Sequence, residues 1–547
     1  MKIRNYLIPV FSVLALASCN YEQINTNIYG VTEEGMKTGG LLYGAPFMDM
    51  QKLVIPIGSP TESTGPGNDL ANTDIMSAGN YIGYWGMNNN WNFNTEATWN
   101  FTDARMSYAY QNFYSKLFRA WNDIYKHTKN SEDPADKEVQ AVANIVKVTA
   151  WLRATDVFGP IVYTNAGNGD IAPKLDSQET VYKAMLADLK DASLLLVNTA
   201  SKVLPSYDVI YNGNASNWVR LANSLMLRIA VRVHFKDEAL AKEYITFALD
   251  PSHGGVIETV AQEAKIRSTD KLPLMNSMLP TVEDYGECRL GATIWAYMQG
   301  YKDPRLLAYF TATSNGYFVP IPPTNYNPLS TEAKNGASKP KVDAASPLFW
   351  MRASEVSFLK AEAALYKLTG GNPKDLYEEG VTKSFEESGA NGVAAYLQTD
   401  DLPYDINRSV LPYNREYSCK LSPGNVAPKW NDADSDEVKL QKIITQKYLA
   451  LYPNAVEAWT EYRRTGYPYL LKPAYDKAYV SIGGEEDAIT PERFRFAPAE
   501  YGTNPNMSEV PALLGGEDQG ATKLWWVRNN RPKQPKREMS FTEKCNK

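Results

Sequence analysis

The chain has 547 residues, with 56 Lys and Arg against 62 Asp and Glu and a formal net charge of −6. That balance excludes a general nucleic-acid binder, which needs a basic footprint, and 44% hydrophobic with 22% charged residues excludes intrinsic disorder. The 35 Tyr and 12 Trp stand out, while only three His leave little room for a His-based metal or triad site.

Lys2 and Arg4 open the chain, an apolar run covers residues 6–17, and Leu16-Ala17-Ser18-Cys19 resembles a bacterial lipobox. The run is too short to span a bilayer and reads as a secretory signal. The expectation is a signal peptide over 1–18, cleaved before Cys19, with acyl chains on Cys19 as the lipidation site. Multiple acylation anchors stably, and Asn20, where Asp would retain the protein at the inner membrane, favours the outer membrane. No later segment approaches about 18 uninterrupted apolar residues. Cys288, Cys419 and Cys545 have no metal-ligand spacing, and their odd number leaves at least one without an intramolecular disulfide partner.

Residues 19–547 read as a single unit. A stretch over 39–101, rich in Gly, Asn, Pro and aromatics, lacks helical periodicity. Thr102 or Asp103 then caps a helix to about 129, with Tyr110, Phe113, Tyr114, Leu117, Trp121 and Ile124 at threes and fours. Asp133-Pro134 opens a second helix to about 156, and Asp176 with Glu179 resembles a capping box ahead of a third through Leu196. Further helices are predicted at 216–235 and 237–249. Residues 251–345 are irregular apart from a short helix near 291–299. Helices return at 350–368 and 374–388, an irregular insertion covers 389–433, helices follow at 436–451 and 454–464, and 466–547 is Pro- and Tyr-rich loop. The fold class is mainly α. Pairs of helices about 34–45 residues long suggest degenerate tetratricopeptide-like hairpins, whose insertions gather as a loop-built surface.

No GxSxG, HExxH, CxxC or GK[ST] occurs, so nucleophile-elbow, zincin, redox and P-loop chemistry have no local signature. His127 and His234 fall late in predicted helices and read as surface or capping residues. No metal site and no cofactor is expected. A glycosidase needs only two carboxylates, about 5 Å or about 6.5–9.5 Å apart, and Asp69 and Asp74 are the pair to inspect. As plain loop residues they would be hydrogen-bond acceptors instead.

Residues 80–101 interleave Tyr81, Tyr84, Trp85, Trp91, Phe93 and Trp99 with Asn and Gly rather than with aliphatic residues. Exposed aromatic faces stack on sugar rings while Asn and Asp bind hydroxyls, which suits a neutral, hydroxyl-rich ligand. The other reading is that these rings brace a long loop, and it suits Trp99 best. The ligand-binding candidates are Tyr81, Tyr84, Trp85 and Trp91, with weaker ones at Asn68, Asp69, Tyr285, Asn325 and Tyr326. Arg352 could reach a ligand hydroxyl, though an ion pair suits it better.

Six segments in order resemble the SusD/RagB family of outer-membrane lipoproteins of Bacteroidetes. They are the lipobox with Ile24-Asn25-Thr26-Asn27; Thr155-Asp156-Val157-Phe158-Gly159; Asp303-Pro304-Arg305-Leu306; Trp459 through Pro468; Pro491-Glu492-Arg493-Phe494 with Glu500 and Asn504-Pro505; and Lys523-Leu524-Trp525-Trp526. The resemblance implies four tetratricopeptide-like hairpins, a lipid anchor at the cell surface, and a complex with a SusC-like TonB-dependent transporter. It implies capture of an oligosaccharide, or in some members a peptide, without catalysis. These motifs do not mark the ligand site. A surface glycosidase and a purely structural repeat adaptor remain the alternatives.

Overall fold

The computed structural model describes residues 33–38, 40–87, 98–323 without 271 and 287, 336–406, and 415–543 without 423, 476 and 537. Eight helices carry the architecture: α1 (Lys116–Thr128), α2 (Pro134–Phe158), α3 (Gln178–Leu196), α4 (Ala215–Val233), α5 (Ala353–Leu365), α6 (Pro373–Ser388), α7 (Asp436–Leu451) and α8 (Ala455–Thr465). They form four successive hairpins, α1–α2, α3–α4, α5–α6 and α7–α8. Each hairpin packs on the next, through α2 on α3, α4 on α5 and α5 on α7. Among the described residues, no helix is long and apolar enough to cross a membrane.

Local chemistry sets most helix starts. Thr102 accepts the Arg105 N–H and opens a rod that runs through Asp103–Tyr110 and a π-helical turn, Gln111–Ser115, into α1. Asp133 caps α2 with Pro134 in its first turn, and Gly159, at φ 90°, ends it. The cap of α3 is Ser177, which accepts the Thr180 N–H at 3.2 Å. Asp176, one residue too early for that bond, instead accepts the Tyr163 and Thr164 N–H groups at 3.0 and 2.7 Å.

The region from residue 39, expected to be irregular, is largely helical. Gly44–Val54 packs on α1 and α2. Thr64–Leu70 then runs into a nine-residue π-helix, Ala71–Gly79, buried at every residue and packed on α8. A segment enclosed on all sides shows no amphipathic stripe, which is why the periodicity was absent.

Among the described residues, strands occur as four antiparallel pairs: β1 (Trp85–Met87) with β3 (Cys288–Leu290), β2 (Ala264–Ile266) with β6 (Leu348–Met351), β4 (Phe310–Thr311) with β5 (Lys339–Pro340), and β7 (Arg415–Cys419) with β8 (Met539–Glu543). The helix Ala292–Gly300 follows β3 directly.

The segments that resemble the family become internal fastenings. Arg232 of α4 donates to Asp156 at 2.6 Å and also bonds Glu457 of α8. Arg464 grips Glu362 of α5 at 2.6 and 2.7 Å and Glu461 at 2.7 Å, and Lys447 of α7 lies 3.1 Å from Glu461. Burial pushes the Asp156 carboxyl up to about 6 in spite of Arg232. Against the same cost of burial, Arg464 and His234 hold Glu362 down to about 2. Arg305 forks onto Asp303 and reaches Ser384, Tyr396 and Gln446. Arg493 donates to the Phe158 carbonyl and to Asp518. His234, expected at the surface or in a cap, stands at the C-cap of α4 but is buried, with Nε2 3.0 Å from Glu362. Charges this deep persist only where every one is paired.

Candidate functional site

Three of the predicted ligand contacts are core residues. Tyr81, Tyr84 and Trp85 are 6%, 0% and 2% exposed, so none presents a face to a ligand. Tyr81 packs on Trp459 at 5.4 Å between centroids, Tyr84 on Tyr448 at 4.8 Å and Trp85 on Tyr452 at 6.0 Å. The Tyr84 hydroxyl donates to the Tyr448 carbonyl, and burial raises it well above the ordinary phenol range. Gly79, two residues before Tyr81, makes room for one of these rings: a Cβ there would strike the Trp85 ring at 2.1 Å. Trp99 is buried, as the bracing reading expects.

Asn68, Asp69 and Tyr285 are half-buried; Asn68 and Asp69 lie on Thr64–Leu70, which packs on the short helix Met278–Glu283 that precedes Tyr285. Tyr285 Oη lies 3.5 Å from the Thr64 carbonyl, and Asn68 offers its carbonyl to Asn72 Nδ2 at 2.8 Å. Asp69 accepts from Tyr108 Oη at 2.5 Å and from Lys116 at 2.7 Å. It lines a groove of about 680 Å³ with Asp49, Lys52, Arg119 and Asp123. Asp74 is gripped by Arg153 through both oxygens, at 2.7 and 2.8 Å. Both carboxylates proposed for acid–base chemistry are thus committed to cations. Arg352 lies 3.7 Å from Glu387, the expected ion pair, and over the Phe349 ring. Among the described residues, no group of three His, Cys, Asp or Glu is placed to hold a metal.

Trp91, Asn325, Tyr326 and Cys19 lie outside the described residues. The chain that leads to the first three does not. β1 ends at Met87, paired with Cys288. Beside β3, the Ile321 N–H donates to the Leu290 carbonyl at 2.8 Å and the Ala292 N–H to the Ile321 carbonyl at 2.9 Å. Gly86 lies against Ile321 so closely that a Cβ would meet its side chain at 2.4 Å. On the flank of the helix Ala292–Gly300, the Tyr404 N–H donates to the Ala296 carbonyl at 2.8 Å, and Ile406 bridges to Cys419 of β7. Met87, Ile321 and Ile406, described residues at or close to the edges of segments 88–97, 324–335 and 407–414, therefore lie around β3 and this helix, while the segments themselves lie outside the described residues. Each contains at least two Asn and an aromatic: Trp91 and Phe93, Tyr326, and Tyr413.

The patch adds two residues that the sequence did not single out. Among the described aromatics only Tyr317 and Tyr404 are largely exposed, at 72% and 48%. Tyr404 itself bonds Ala296 at this patch, and Tyr317 stands four residues before Ile321. Nothing in the local sequence separates these tyrosines from buried ones; only packing leaves them outside.

The family model described as SusD-like, "Susd and RagB outer membrane lipoprotein", matches residues 23–527. No curated protein matches the chain. A solved structure described as BT1043 is 60% identical, with a TM-score of 0.88, and covers 91% of this chain and 100% of its own. A chitin-binding SusD homologue from Flavobacterium johnsoniae is 28% identical at a TM-score of 0.80, covering 89% and 99%. A SusD homologue from Bacteroides uniformis is 30% identical at a TM-score of 0.76, again covering 89% and 99%. With the four-hairpin fold and a family match over nearly its whole length, the chain belongs to the SusD-like family, described as outer-membrane lipoproteins.

Proposed function

We propose that this protein captures an oligosaccharide at the bacterial surface and hands it, uncut, to a SusC-like TonB-dependent transporter. The observation that carries this reading is that Met87, Ile321 and Ile406, described residues at or close to the edges of three Asn- and aromatic-bearing stretches of sequence, lie around β3 and the helix Ala292–Gly300. Aromatic planes and amide side chains together suit a neutral polyol. A chitin-binding relative with the same fold adds support. Cys19 carries the lipid and keeps the protein at the outer membrane. Trp91, Asn325 and Tyr326 contribute to the ligand face; Asn68, Asp69 and Tyr285, on the helix pair near the groove, are secondary contacts.

The test is native affinity electrophoresis, then calorimetry, against soluble oligosaccharides of glucose, galactose, mannose and N-acetylglucosamine. The expected result is retardation by at least one sugar with no product released. Hydrolysis would replace the reading with a glycosidase, and binding of peptides alone would replace the ligand class. Tagged protein in detergent-solubilised outer membranes should co-purify a TonB-dependent transporter. The Cys19→Ala variant should leave the membrane fraction, and its persistence there would contradict the anchor.

A further inference from the structure

We infer that Tyr404, backed by Trp295, is a rigid stacking platform for a pyranose ring at the edge of this ligand face; this rests on the glycan-capture reading above. Tyr404 is 48% exposed. Its inner face lies over Trp295 at 5.9 Å between centroids and 24° between planes, and Trp295 is itself buried. The two rings are offset, so Trp295 backs part of the phenol ring while about half of Tyr404 remains in water. That suits a sugar's apolar C–H face, which gains from an aromatic plane that is partly backed and does not need to be ordered on binding.

The backbone beneath the ring is fixed as well. The Tyr404 N–H is tied to the Ala296 carbonyl. Gly300 lies so close that a Cβ there would sit 2.4 Å from the Leu402 carbonyl, 2.5 Å from Pro403 Cα and 2.7 Å from Tyr404 N. Segment 402–404 is thus pressed directly onto the helix and cannot shift without opening it. Trp295 Nε1 is buried and finds no hydrogen-bond partner among the described residues. An orphaned donor is a cost that a phenylalanine would avoid; the indole offers in exchange the widest flat backing for the outer ring. At the rim, Lys302 pairs with Asp401 at 2.8 Å, a polar border suited to the hydroxyl edge of the same sugar. Leu402, 45% exposed, extends the apolar floor.

The experiment uses the full chain without its signal segment and the tightest-binding sugar from the panel above, measured by calorimetry for wild type, Tyr404→Ala, Tyr404→Phe and Trp91→Ala. Tyr404→Ala should weaken binding about fivefold or more, the scale of one lost aromatic contact. Tyr404→Phe should retain wild-type affinity within about twofold, because the plane rather than the hydroxyl carries the contact. Circular dichroism melting should show every variant folded at the binding temperature, with Tyr404→Ala lowered only by loss of a half-buried ring's contact with Trp295. Wild-type binding with unchanged affinity in Tyr404→Ala overturns the platform while leaving the capture reading intact. Equal loss in Tyr404→Ala and Tyr404→Phe overturns stacking in favour of a hydroxyl contact. Wild type that retains no sugar overturns the capture reading, and the platform with it.

Discussion

The helical interior and the loop-bearing patch use aromatic and polar residues to opposite ends. In the interior, tyrosine and tryptophan pack on one another and are buried, as Tyr84 is on Tyr448 and Tyr110 on Tyr114. Buried charges there form ion pairs across α2, α4, α5, α7 and α8, and Arg463 instead donates to the Asp156 and Glu492 carbonyls. At the patch, Tyr404 stacks at an offset on buried Trp295 and is about half in water. The residues that identify the family are those of the interior, because a buried ion network tolerates no unpaired member. Its motifs report the fold, and the patch has to report the ligand.

The sharpest way to break this division is Arg464→Ala. It leaves Glu362 and Glu461 buried without their shared partner, and should cost about 3–5 kcal/mol of stability. Calorimetric melting checks this, and an unchanged Tm would mean that the network contributes no more than surface pairs do. Trp85→Ala tests whether that ring belongs to the interior. It should cost about 3 kcal/mol or more through the cavity left behind, with sugar affinity of the folded fraction unchanged; a selective loss of binding would return Trp85 to the ligand face.

Glu387 gives a pH test of the interior. Burial, opposed by Arg352 and aided by Glu263, pushes its carboxyl from 4.5 up to about 8. The folded protein then holds this proton more tightly than the unfolded chain, so the group's contribution to stability falls as pH rises from 4.5 to 8. In Glu387→Gln that dependence is removed. The Tm difference between variant and wild type should move in the variant's favour across this window, and a flat difference would contradict the shift. Smallest in energy is Trp91→Ala, expected to weaken sugar binding by about 1 kcal/mol, several-fold, with no change in Tm. A falling Tm with intact affinity would move Trp91 from the face to the interior.

Much of the fold is legible from residues 102 onward. Thr102 and Asp133-Pro134 start helices where capping chemistry says they should, and the amphipathic run of Leu117, Trp121 and Ile124 marks the buried side of α1. Of segment 44–80, the π-helix Ala71–Gly79 was not legible because it is enclosed on all faces and loses its periodic signature, whereas Gly44–Val54 does bury a stripe at Phe47, Met50, Gln51 and Val54 that the sequence reading passed over. The cap of α3 was misplaced by one residue, since Asp176 and Ser177 are both competent caps and only the turn after α2 chooses between them. At the site, the interleaving of Tyr81, Tyr84 and Trp85 with Asn and Gly describes a crowded core and a solvent-facing loop equally well. Burial is a property of what packs on a residue from elsewhere in the chain.

The sequence by itself determined the helical class, the pairing of helices and the family, because capping and periodicity act over a few residues and the family segments recur in order. Only the tertiary structure decided which aromatics serve the interior and which face outward. Tyr84 meets Tyr448 across 364 residues, and Tyr404 meets the helix Ala292–Gly300 across more than 100. A ring is buried or exposed by neighbours at that range, and no local pattern of residues carries the information.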